Sequence, residues 1–221
     1  MLYDKTDLHE ERLDVAAQTL RDSGARSVLD LGCGSGGLLR RLVQVPQFQR
    51  IVGVDKCSAT LWHAEQAIHH DCGGHQDFGG SQSAKQPARL SLIVGSYTDR
   101  NAELCGFDAC AMIETIEHID PGTLGSVEQS VFGYYRPKTV VLTTPNVEYN
   151  ELLGLAPGEF RQLDHRFEWD REKFRNWSRG VAQRNGYQVC FRGIGEEDLV
   201  LGPPTQMALF TRAPRTSGFP A

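Results

Sequence analysis

The chain lacks what would send it into a membrane or stitch it together with disulfides. No apolar run approaches the roughly 20 residues that a bilayer-spanning helix needs. Residues 1–14 are charged and carry no apolar stretch of the kind a secretory leader has. The six cysteines (Cys33, Cys57, Cys72, Cys105, Cys110 and Cys190) are scattered, with no C-x-x-C pair. That spacing excludes a zinc ribbon and a dense disulfide framework, and it suits a reducing compartment. Nor is there an excess of positive charge, since the net charge is −5. General affinity for nucleic acid comes from Lys and Arg on phosphates, so RNA or DNA would have to be met by a local patch. There is no internal repeat and no linker between two cores. The expectation is a soluble, cytoplasmic protein.

What is present is a chain of 221 residues, 40% hydrophobic, long enough to bury a substantial core. A single domain over residues 1–213 is expected, with a disordered tail at 214–221. Apolar residues recur at a helical period through Leu8, Leu13, Ala16, Ala17 and Leu20, and Gly24 stops the run. Short apolar strands are expected at 26–31, 51–54, 91–94, 107–113 and 138–143, with two closing strands at 187–191 and 206–211. Helices are expected between them, at 59–70 with Ser58 as N-cap, at 121–135 and at 171–185. The stretch 71–87, rich in Gly, Ser, Gln and His, has little to bury and reads as a flexible surface insertion. Within and beside it, His70 and His75 are metal-capable but read as idle. Alternation of short strands with helices predicts an α/β fold with a mostly parallel sheet covered on both faces.

The first strand runs into Gly32-Cys33-Gly34-Ser35-Gly36-Gly37. In open α/β sheets ligands bind at the carboxyl ends of the strands, and glycines let the backbone approach a ligand closely. Asp55, at the end of the second strand, is placed to accept from ribose hydroxyls. The pattern Gly32-x-Gly34-x-x-Gly37 also satisfies a dinucleotide fingerprint. Asp30 argues against a dinucleotide, because a carboxylate beside the loop repels a pyrophosphate and suits a cationic amino group. The string from Val28 to Gly36, Val-Leu-Asp-Leu-Gly-Cys-Gly-Ser-Gly, resembles motif one of class I S-adenosylmethionine-dependent methyltransferases. That resemblance implies that Asp30, Gly32, Gly34 and Gly36 hold the methionine end of the cofactor and Asp55 its ribose. It also implies that Ser96 contacts the adenine end, with Ile113 and Glu114 on the same rim.

The second cluster is Glu114-Thr115-Ile116-Glu117-His118, directly after the apolar run 107–113. On a helical turn, positions i, i+3 and i+4 share a face, so two carboxylates and an imidazole would converge. Such a set suits an oxygen- and nitrogen-liganded divalent ion such as Mg, Mn, Fe, Co or Zn. A solvated first turn of a helix would carry the same residues.

Four stretches in order then resemble the family of small-RNA 3′-terminal ribose 2′-O-methyltransferases, the HEN methyltransferase domain. They are Phe107-Asp108 through Glu114-x-x-Glu117-His118; Thr143-Thr144-Pro145-Asn146-x-Glu148-Tyr149-Asn150; Asp164-His165-Arg166-Phe167-Glu168-Trp169; and Pro204-Thr205-Gln206-Met207. Gly95-Ser96 falls in place before them. The resemblance implies that Glu114, Glu117, His118 and His165 are the catalytic ligands of one divalent ion, Mg or Mn. The ion's remaining positions would take the 2′- and 3′-hydroxyls of the terminal ribose. A ribose hydroxyl is a poor nucleophile until its proton is polarised or removed, and an internal nucleotide has no free 3′-hydroxyl to chelate. His118 and His165 both remain open as the group that takes the proton. The ending Gly202-Pro203-Pro204-Thr205-Gln206-Met207 and the compact size look most like the bacterial members. These work with a polynucleotide kinase-phosphatase and ligase in RNA repair; animal members, which act on RNA held by Argonaute-class proteins, match nearly as well.

Arg161, Arg166, Arg171, Lys173 and Arg175 form a local basic patch expected to meet the RNA backbone, with Phe160, Phe167 and Trp169 as stacking platforms. Two other functions fit parts of the same pattern. One is a metal-dependent small-molecule O-methyltransferase acting on vicinal hydroxyls. The other is a non-catalytic module that binds RNA ends.

Overall fold

The computed structural model describes residues 5–71 and 89–212. Most of the expected insertion (72–87, including His75) and the tail 214–221 lie outside the described residues.

Seven strands form one sheet: β1 (Ser27–Leu31), β2 (Arg50–Asp55), β3 (Leu90–Val94), β4 (Ala109–Ile113), β5 (Thr139–Pro145), β6 (Tyr187–Ile194) and β7 (Thr205–Arg212). Their order is β3-β2-β1-β4-β5-β7-β6. The first five are mutually parallel, and β7 enters antiparallel between β5 and β6. This is the mostly parallel sheet expected from the sequence, with each strand within a few residues of its expected place. The central strands are buried along nearly their whole length, as β5 is from Thr139 to Pro145, because helices cover a parallel sheet on both faces.

Helices cover both faces. On one side α1 (Lys5–Asp22), α2 (Gly37–Val43) and α3 (Ser58–Asp71) pack over a core that includes Leu13, Leu20, Leu39, Phe48 and Ile68. On the other, α5 (Arg171–Asn185) and the 121–135 segment close over Phe132, Phe174, Tyr187 and Phe210. Among the described residues no helix is long and apolar enough to cross a membrane.

Two local expectations change. Ser58 is the first residue of α3 rather than its cap: the Leu61 N–H bonds to the Cys57 carbonyl, and the Cys57 N–H is held by Asp55. The 121–135 segment is not one regular helix. It is a 3₁₀ turn (Pro121–Thr123), one α turn, α4 (Leu124–Val127), and a π turn (Glu128–Tyr135). Gly125 and Gly133 weaken the regular helix. The Ser130 hydroxyl, donating to the carbonyls of Val127 and Tyr97, draws the widened turn down onto the β3–β4 side.

The N-terminal ends of β1, β4 and β5 are pinned by Asp108. Its carboxylate accepts from the Arg26 and Ser27 N–H groups, the Ser27 hydroxyl and the Lys138 ammonium at 2.9–3.1 Å. Burial alone would raise the Asp108 carboxyl, but the Lys138 and backbone bonds outweigh it and hold it down at about 2. A depressed folded value stabilises the fold above the unfolded carboxyl's range, and that contribution disappears as pH falls toward 2. Asp108→Asn should therefore melt below wild type at pH 7, with the gap closing between about pH 4 and pH 2. Parallel thermal melts at the two pH values check this.

Candidate active site

β1 ends in a glycine turn that the fold requires. Gly32, Gly34 and Gly36 all have positive φ, at 78°, 53° and 82°, a region that costs other residues strain. At Gly32 a Cβ would also lie 2.6 Å from the Thr115 methyl. The Gly32 and Cys33 N–H groups bond the Val54 carbonyl, and the Gly34 N–H bonds Asp55 Oδ2 at 3.1 Å. Asp55 Oδ1 takes the Cys57 N–H at 2.9 Å. The strand-two acid thus shapes the turn from below, and its carboxylate still has acceptor capacity toward the cavity.

A cavity of about 340 Å³ opens above this turn. Of the residues expected around the cofactor, Gly32, Gly34, Asp55, Ser96 and Glu114 line it, together with Lys56, Tyr97, Thr115 and His118. Three expected cofactor residues stand outside the lining. Asp30 is buried beneath the turn; burial, helped by Asp55, pushes its carboxyl up to about 7, and its Oδ2 has no partner. Gly36 caps α2, where a Cβ would meet Ala64 at 3.0 Å, so its job is helix packing. Ile113 packs against the core under α1 to α3.

The Glu114 cluster departs from the helical-turn expectation. Glu114 sits at φ 51° and ends β4, its N–H bonded to Thr143 Oγ1 at 3.0 Å. The 3₁₀ turn that follows (Ile116–His118) carries only Glu117 and His118. Glu114 instead forms an ion pair with Arg12 of α1, a residue that no sequence motif singles out. What converges is Glu117, His118 and His165, with one ligand-type atom from each lying within 4.8 Å of the others. Glu114 is outside that set.

His165 arrives through the chain's path. The Arg166 N–H bonds the Glu117 carbonyl at 2.7 Å, and the segment up to Trp169 is fastened to the sheet end by Gln206 Nε2 on the Trp169 carbonyl at 2.8 Å. The two imidazoles stand edge to face, 4.8 Å apart. Each has a carboxylate on Nδ1: Asp164 on His118 at 3.0 Å and Glu168 on His165 at 2.6 Å. A carboxylate on one ring nitrogen fixes the tautomer that leaves Nε2 as a lone-pair donor. Glu168 is itself held by Asn150 Nδ2 and the Arg161 N–H; burial would raise it, but the bonds from His165, Asn150 and Arg161 keep it low. Burial lowers His118 and keeps it neutral. Burial, with Glu114 beside it, pushes Glu117 well above the usual carboxylate range. Glu117 is fully buried; its Oε2 takes the Thr144 hydroxyl at 3.2 Å, while its Oε1, like Glu114 Oε1, has no partner. Buried carboxylate oxygens without donors, beside two oriented imidazoles, form a donor set that fits a divalent ion.

The expected basic patch is only partly a surface. Arg161 is a strut: its guanidinium bonds Asn150 Oδ1, the Pro204 carbonyl and the Asn146 carbonyl. Arg171 is paired with Glu148. Arg166, Lys173 and Arg175 are exposed. Phe167 and Trp169 are core residues stacked on each other at 4.5 Å, so of the three expected platforms only Phe160, 39% exposed, faces solvent.

The methyltransferase domain family matches residues 5–189. The small RNA 2′-O-methyltransferase of Mus musculus is 34% identical over 94% of this chain, which spans 52% of that relative. The methyltransferase domain of bacterial CtHen1-C is 37% identical, covering 94% of this chain and 100% of that one, with a TM-score of 0.79. The Pnkp1/Rnl/Hen1 RNA repair complex is similar in fold, with 20% identity and a TM-score of 0.66. Fold and glycine turn are thus those of a class I methyltransferase. Within that class, the chain belongs to the family of the small RNA 2′-O-methyltransferases, with the bacterial Hen1 methyltransferase domain among its relatives.

Arg161→Ala should act on stability and not on the charge felt by RNA. Removing the strut leaves Asn150 Oδ1 without its donor and takes one of two donors from each of the Pro204 and Asn146 carbonyls, and should cost roughly 1–3 kcal/mol in urea unfolding. The salt dependence of RNA binding by the folded variant should match wild type.

Proposed function

We propose that the chain transfers a methyl group from S-adenosylmethionine to the 2′-hydroxyl of the 3′-terminal nucleotide of RNA, with a divalent ion, Mg or Mn, at the acceptor side. The observation that carries this reading is the convergence of Glu117, His118 and His165 beside the glycine cavity, in a chain of this family. The whole protein's activity is a proposal, since the chain spans about half the length of the mouse relative.

S-adenosylmethionine supplies an activated methyl on sulfur. The glycine turn approaches it from below, and Asp30, buried beneath that turn with an unpartnered Oδ2, is the nearby carboxyl that favours its cationic amino group. Asp55 accepts from the ribose hydroxyls while keeping the turn in shape. Ser96 lies on the cavity wall beyond β3, where the adenine end is placed.

On the acceptor side Glu117, His118 and His165 would hold the ion, with Glu114 as the fourth ligand once it leaves Arg12. When bound, the ion would polarise the 2′-hydroxyl and, by taking the 2′- and 3′-hydroxyls together, select an unphosphorylated 3′ end. Asp164 and Glu168 aim the imidazoles. Because Glu114 and His118 line the cofactor cavity itself, acceptor oxygen and methyl carbon meet at one wall, which is the positioning that transfer requires. Exposed Arg166 next to His165, with Lys173 and Arg175, is the place for RNA phosphates. The likeness in fold to the Pnkp1/Rnl/Hen1 RNA repair complex supports a repair setting. A kinase-phosphatase and ligase pair, as in the Pnkp1/Rnl/Hen1 complex, is then the partner class.

Two forms of one short RNA decide the reading. With Mn²⁺, labelled methyl should enter RNA ending in free 2′,3′-hydroxyls and not RNA ending in a 3′-phosphate, and chelator should abolish it. Equal labelling of both would remove the two-hydroxyl requirement; labelling of a catechol but neither RNA would favour the small-molecule activity. His165→Ala should lower transfer by at least about 100-fold while S-adenosylmethionine affinity stays within about threefold. Asp55→Ala should lose cofactor affinity first.

A further inference from the structure

Glu114 and Arg12 belong to different parts of the chain, the end of β4 and the middle of α1, yet their side chains are 14% and 13% exposed and paired. The backbone of Glu114 is fixed by its positive φ and by the bond to Thr143. Arg12 is anchored too, its Nε donating to the Leu8 carbonyl at 3.2 Å. Glu114 Oε1 and Glu117 Oε1 are both buried without donors, and Glu114 is the charge that most raises Glu117 after burial itself. Two neighbouring buried carboxylates need a cation. The other guanidinium close by, Arg161, spends its nitrogens on Asn150 and two carbonyls. Arg12 is the cation that Glu114 has.

We propose that Arg12 is the resident counter-ion of Glu114, and that a divalent ion must displace it to gain its fourth ligand, so that Arg12 sets the protein's metal affinity. The inference rests on the metal-site reading above. It explains why Glu117, His118 and His165 converge while Glu114 stands apart: its carboxylate is already matched. Arg12 acts through Glu114 and is a positioning residue. Coulomb's law gives the sign, since a unit positive charge beside the site opposes the entry of a doubly charged ion. α1 thereby becomes part of the acceptor site, because any movement of that helix shifts the competition for Glu114.

The test is calorimetric titration of the purified chain with Mn²⁺ alone. Arg12→Gln should bind Mn²⁺ at least about tenfold more tightly than wild type, and Arg12→Lys, which keeps the charge, should stay within about threefold. Glu117→Ala should abolish binding in both the wild-type and Arg12→Gln backgrounds. Equal or weaker binding by Arg12→Gln, with the Glu117→Ala control behaving as stated, would overturn the proposal and leave the metal site standing. Absence of Mn²⁺ binding in wild type and Arg12→Gln alike would instead overturn the metal-site reading. A second readout follows the pair itself: on adding Mg²⁺ to wild type, the Arg12 Nη–H resonance paired with Glu114, assigned by its loss in Arg12→Lys, should move to a solvent-exchanging position. A resonance that stays protected at saturating Mg²⁺ would show that the pair is kept, contrary to the proposal.

Discussion

Asp30, Asp55, Glu114 and Glu117 crowd the carboxyl ends of β1, β2 and β4, in a region where burial strips most of their solvation. Between them they find three answers to the same electrostatic problem. Asp55 is satisfied by backbone N–H groups. Glu114 has a guanidinium. Asp30 and Glu117 shift upward in pKa and keep an unpartnered oxygen each. Buried charge of one sign is costly unless matched, and a fold keeps such groups where a ligand completes them. Under the proposed function those ligands are the cationic amino group of a cofactor and a metal ion.

The architecture makes this arrangement possible. Parallel strands β1, β2 and β4 end at one edge, so short loops of unrelated sequence meet there. The acceptor half depends on a longer path. Segment 164–170 is laid across the strand ends by its bonds to Glu117, Val147 and Gln206, and it brings His165 and its orienting partner Glu168 in together. Asp164 then completes His118 from the neighbouring position. Two histidines from different loops are oriented by carboxylates three and one residues away from His165, so a single heptapeptide serves both rings.

Much of this was legible in the chain itself. Strand positions followed from apolar runs bounded by glycine and asparagine, and the glycine turn followed from Asp30 through Gly36. The family resemblance grouped Glu114, Glu117, His118 and His165, of which the last three meet. What local reasoning missed is instructive. The i, i+3, i+4 argument assumed helical geometry for Glu114, but that residue takes a left-handed conformation at a strand end, where spacing along a helix has no meaning. Phe167, Trp169 and Arg161 carry the composition of an RNA-facing surface, yet packing against α5 and the backbone of Asn146 and Pro204 absorbs them. Arg12 lies about a hundred positions from its partner, and only tertiary structure joins them. The orienting roles of Asp164 and Glu168 were visible in principle, since Asp-His and His-x-x-Glu fall within one motif.

The proposed chemistry turns on Glu117, His118 and His165 being metal ligands. Pulsed electron paramagnetic resonance of the chain with one equivalent of Mn²⁺ tests it without any substrate. Two distinct imidazole nitrogen couplings should be present, with His118→Ala and His165→Ala each removing one. A spectrum free of nitrogen coupling, or one unchanged by both substitutions, would contradict the account.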